Sequence, residues 1–94
     1  MKRIIYTEHL KFRLEKRGIR SGIPREIYQD SDEKYYDTAT GHRIAIGRLH
    51  HSGREREVMI AYDEFEERIE IVTVHPLKWA QKQQRIKTKR WTRI

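Results

Sequence analysis

His9, Arg13 and Arg17 follow one another at i, i+4 and i+8, so on a helix they line a single stripe. Far along the chain, Thr73 and His75 alternate on what reads as a strand and therefore share a face. Imidazole exchanges protons near neutral pH, and guanidinium groups grip phosphate oxygens in a planar fork. Together these residue types suit cleavage of a phosphodiester without a metal. A base takes the attacking hydroxyl's proton, an acid protonates the leaving oxygen, and cations stabilise the charge crowding onto phosphate. His9, His75 and Arg17 are the candidates for that chemistry, with Arg13, Arg48 and Thr73 as candidates for holding phosphate. A plainer reading stands beside it. Arg13 and Arg17 can lay their stems along the core edge and pair with carboxylates, while His9 caps or packs. Arg48 can pair with Glu57 or Glu70, and His75 can be an exposed strand end beside Pro76.

The charge distribution points the same way. The chain carries a formal net charge of +7, and residues 77–94 hold seven Lys or Arg and no Asp or Glu. Residues 1–76 are balanced. The excess is interleaved with Trp79 and Trp91, and a cationic segment with flat aromatic faces suits a polyanion with stackable bases. Lys78, Trp79, Lys82, Arg85, Lys89, Arg90 and Trp91 are the candidate RNA contacts there. Alternatively the segment is a solvated basic helix whose face with Trp79, Lys82, Gln83 and Ile86 docks on the body. Trp91 lies beyond that face and is harder to bury.

Other chemistries find less support. There is no cysteine, hence no disulfide or thiolate site. His50 and His51 are adjacent and would point to opposite faces of a strand, which argues against a metal site. Next to Ser52-Gly53 they read as a hairpin tip, and His42 reads as a turn residue. Glu64, Glu66 and Glu67 form a solvated loop cluster, a poor place to hold acid/base geometry. No motif calls for a cofactor. No apolar run approaches the ~20 residues that span a bilayer, and a cytoplasmic location is the expectation.

These residues need elements to position them. Ile4–Tyr6 reads as a first strand, Thr7 as an N-cap and Glu8–Arg17 as a helix closed by Gly18. Pro24 opens a second helix with Ile23, Ile27 and Tyr28 on its buried stripe. The period then turns strand-like over Lys34–Thr38, Arg43–His50, Glu57–Tyr62 and Arg68–His75. The last is the most apolar, with Ile69, Ile71, Val72 and Val74, and reads as central. Short spacers predict an antiparallel meander. The expected fold is α+β, in the order β-α-α-β-β-β-β. Two N-terminal helices lie on one face of an antiparallel sheet, and a basic helix or tail follows. Residues 1–76 would form the body and 77–94 the tail. Strand Lys34–Thr38, if at an edge, could pair with a second copy in a homodimer, although Lys34 and Asp37 oppose this.

The run His9-x3-Arg13-x3-Arg17-Gly18-Ile19 resembles the opening of a small family grouped with the RelE-type toxins. Ile71-Val72-Thr73-Val74-His75-Pro76 is similar to that family's closing strand, and the likeness spans roughly residues 4–76. It implies a RelE-like α+β fold. It also implies a toxin that cuts RNA or blocks the ribosome and is held inactive by an antitoxin, here expected to be acidic. Two rival expectations share the fold: a nucleic-acid-binding module without catalysis, and an interaction domain for an acidic protein.

Overall fold

The computed structural model describes residues 2–51 and 53–94. The Ser52 turn and the side chain of His51 lie outside the described residues. The chain forms β1 (Arg3–Tyr6), α1 (Glu8–Arg17), α2 (Ile23–Asp30), β2 (Lys34–Asp37), β3 (Arg43–His51), β4 (Arg54–Glu64), β5 (Arg68–Pro76), α3 (Trp79–Lys87) and β6 (Trp91–Arg93). The α+β expectation holds. All six strands join one sheet in the order β1-β5-β4-β3-β2-β6.

The sheet is mixed, which corrects the antiparallel expectation: β1 runs parallel to β5, with Ile4 opposite Ile69 and Tyr6 opposite Ile71. An antiparallel meander follows from short hairpins. No hairpin links β1 to β5, and the chain returns between them through both helices and three strands. Thr7 fixes the corner. Its Oγ1 accepts from the Leu10 amide, capping α1, and donates to the Val72 carbonyl of β5. Because β1 ends opposite Ile71, the remainder of β5 has α1 along its outer side.

Two apolar layers cover the two faces of the sheet. Under α1 and α2 lie Leu10, Leu14, Ile23 and Ile27, packed on inward residues of β3, β4 and β5 such as Ala45, Ile60 and Val74. Gly47 allows α2 this close, since a Cβ there would sit 2.7 Å from Ile27 Cγ1. The opposite face carries Ile44, Ile46, Met59 and Ala61, covered by Leu77, Ile86 and Trp91.

Residues 77–94 are therefore not an appendage to a separate body. They supply α3 to the second layer and a sixth strand, β6, paired antiparallel with β2. The docking face of α3 also differs from the expected one. Lys82, Arg85 and Ile86 turn inward, whereas Gln83 and Trp79 are exposed, Trp79 by 71%. Trp91, expected to be hard to bury, is 1% exposed and stacks on Tyr35 with ring centroids 5.6 Å apart.

A candidate phosphate-binding groove

A bulge in β5 decides where the candidate residues point. Ala61 pairs with Thr73 and Tyr62 with Ile71, so Val72 is an extra residue on that strand. Strict alternation would put Thr73 and His75 on the face of Ile69 and Ile71. The bulge resets it. Ile69, Ile71 and Val74 all enter the core beneath α1 and α2, and Thr73 and His75 emerge on the opposite face beside Ala61 and Met59.

There they border an open groove of ≈ 980 Å³ with Ile44, Met59 and Ala61 in its floor and Trp79 and Arg85 of α3 on its wall. Arg17 reaches it from the end of α1. Its Nη2 donates to His75 Nδ1 at 3.2 Å, and the other ring nitrogen stands 3.2 Å from Thr73 Oγ1. A guanidinium has only donors, so Nδ1 accepts and the Nε2–H donates to the threonine. Burial lowers the His75 pKa, and the nearby charges of Arg17, Arg13, His9 and Arg85 lower it further, which keeps the ring neutral at pH 7. One helical turn back, Arg13 Nε donates to His9 Nε2 at 3.4 Å. The stripe on α1 thus forms as its spacing predicts, but only Arg17, at its end, contacts the Thr73–His75 pair; His9 and Arg13 do not line the groove.

Among the described residues, Arg13, Arg17, Lys78 and Arg85 have no carboxylate within ion-pair distance. Arg17 Nε is buried without a partner. Arg85 lies over the Trp91 ring at 5.1 Å, and Lys78 lines the groove at the start of α3. These cations, with the exposed ring of Trp79, can receive an anion that carries a flat base.

Other sequence candidates are occupied elsewhere. Lys82 sits between Glu33 Oε2 at 2.7 Å and Glu57 Oε2 at 2.9 Å, which raises its pKa and anchors α3 to the body. Arg90 lines the groove but forks onto both oxygens of Asp37, at 3.1 and 3.2 Å. The Trp91 indole donates to the same carboxylate and has no face left for a base. Arg48 pairs with Glu55 and lies outside this groove. Lys89 is exposed outside it too, in a left-handed turn with φ 62° between α3 and β6. For Lys82, Arg90 and Trp91 the cause is shared: body carboxylates that looked like surface charges are positioned to bind the C-terminal segment.

One groove residue escaped the sequence reading. His42 Nδ1 lies 2.6 Å from Asp63 Oδ1, and His42, unlike Asp63, lines the groove. The β3–β4 ladder carries the pairing signal, since its register runs from His51 opposite Arg54 to Arg43 opposite Tyr62. Extending it one step sets His42 across from Asp63.

Among the described residues no group of three His, Asp or Glu is placed to hold a metal, and no helix is long and apolar enough to cross a membrane. Scans against family models, curated proteins and solved structures give no significant match to this chain.

Proposed function

We propose that the groove binds single-stranded RNA and that the protein is a RelE-like toxin. It would act as a metal-independent endoribonuclease or a ribosome-directed inhibitor of translation, restrained by an acidic partner protein. The observation that carries this reading is the cation set at Arg17, Lys78 and Arg85, which lines the groove with His75 and, among the described residues, has no carboxylate partners; Arg13 adds its charge near His75. Guanidiniums without a carboxylate partner, beside apolar side chains such as Met59 and Ala61, keep donors for phosphate oxygens. Trp79 offers a base-stacking face on the same rim. The resemblance of the Arg17-Gly18-Ile19 opening and of the His75-Pro76 strand end to RelE-type sequences adds the reaction class.

A second reading, a binding module without catalysis, is favoured by one observation. Both ring nitrogens of His75 are already engaged, by Arg17 and by Thr73. Regulated expression in a bacterial host separates the two. For the toxin, growth stops and new RNA 5′ ends accumulate, and both effects disappear in the His9→Ala/His75→Ala protein. Normal growth with intact RNA at good soluble expression contradicts the toxin and leaves the binding module.

A further inference from the structure

Two histidines, His42 and His75, line the groove and a third, His9, lies on α1 outside its lining; their nitrogens are not equally free. His75 has both nitrogens committed, and His9 Nε2 accepts from Arg13. His42 differs. Its Nδ1–H donates to Asp63, and among the described residues its Nε2 makes no hydrogen bond. Its amide is held by Thr40 Oγ1 and its carbonyl accepts from the Asp37 amide, so backbone and ring are both fixed. A carboxylate on one ring nitrogen, with the other open to a substrate groove, is the arrangement that orients an imidazole for proton transfer.

We infer that His42 is the proton-transferring residue of this groove, with Asp63 as its positioning residue, and that the Arg17–His75 end is a separate phosphate subsite. This inference rests on the RNA-binding reading above. His42 extends β3 and pairs with Asp63 on β4, and His75 pairs with Met59, two strands from His42 and four residues along. Those steps separate the two Cα atoms by about 16 Å. That distance is too long for both rings to flank one phosphodiester. It equals roughly five stacked nucleotides at ~3.4 Å each, and fewer when the strand is extended. The ligand is therefore an oligomer of single-stranded RNA, not a mononucleotide. Arg85 of α3 lines the same groove and has no carboxylate within ion-pair distance among the described residues. In the reaction the 2′-hydroxyl proton moves to His42 Nε2. The O2′–P bond forms as P–O5′ breaks, giving a 2′,3′-cyclic phosphate, and the leaving O5′ takes a proton from water.

Nitrogen NMR of the imidazoles in the intact protein tests this with a single-stranded 2′-O-methyl RNA oligomer, which binds without being cut. His42 should carry its proton on Nδ1, and its Nε2 signal should move on RNA addition together with that of His75. Movement at His75 with His42 unchanged overturns this inference and spares RNA binding. No movement at either overturns both. With ordinary RNA, His42→Gln should lose cleavage by about 10²-fold or more while Kd changes less than threefold. Asp63→Asn should lower kcat at constant KM and lose the fixed tautomer, and Asp63→Glu should restore both. Unchanged cleavage in His42→Gln, or RNA that binds without being cut by the intact protein, overturns the proton-transfer role.

Discussion

Asp37 is the residue on which the C-terminal segment depends. It is 3% exposed and accepts from Arg90, from the Trp91 indole and from the amides of Ala39 and Thr40. Burial opposes its charge, but those donors outweigh it and hold the carboxyl at about 2, against an ordinary 3.8. The folded pKa lies below the unfolded one. The stabilisation is thus complete above pH 3.8 and disappears as pH falls through about 2. The difference is worth about 2 kcal/mol. Asp37→Asn should therefore lose at least that much stability at neutral pH and lack this part of the acid transition, as urea unfolding at a series of pH values would measure. Equal stability of the two proteins at pH 7 would contradict the role given to Asp37.

At the scale of elements, α3 and β6 divide the two tryptophans between different tasks. Trp91 fills the second apolar layer between Tyr35 and Arg85, while Trp79 projects from the first turn of α3 at the groove rim. Trp91→Ala should cost about 3–5 kcal/mol, as truncation of a buried aromatic does. Trp79→Ala should change stability by less than about 0.5 kcal/mol and weaken RNA binding by about 1–3 kcal/mol. Thermal unfolding and a binding titration of both variants check the pair. The reverse assignment would show that α3 docks by a different face. Helical spacing alone could not tell these faces apart. Lys82 turns inward because Glu33 and Glu57 await it, and residues 25 or more positions away carry that information.

Over the whole molecule, the net charge of +7 is distributed differently from its place in the sequence. Lys82 and Arg90 are neutralised by carboxylates of the body, whereas Arg13 and Arg17 of the balanced N-terminal part bond to histidines and, among the described residues, pair with no carboxylate. Local signals were legible: the Thr7 cap, the Gly18 stop, the α1 stripe and the pairing of Thr73 with His75 on one face. Long-range geometry was not. The β5 bulge sends His75 to the face opposite the one that simple alternation gives it, and the parallel β1 follows from packing beside α1. The His42–Asp63 contact depends on strand register. His42, before β3, and Asp63, near the end of β4, meet only once the two strands are aligned. Arg17 and His75, read from the sequence as candidates for one chemistry, lie in 3.2 Å contact.

The most direct measurement is binding of a short labelled single-stranded RNA by fluorescence anisotropy across a salt series, for the parent chain and for Arg17→Ala and Arg85→Ala. With Arg17, Lys78 and Arg85 each on a phosphate, log K should fall with log salt at a slope of about −2. Each variant should reduce that slope by about 0.7. A slope near zero, or a slope that neither variant changes, would contradict a phosphate-binding groove at this site.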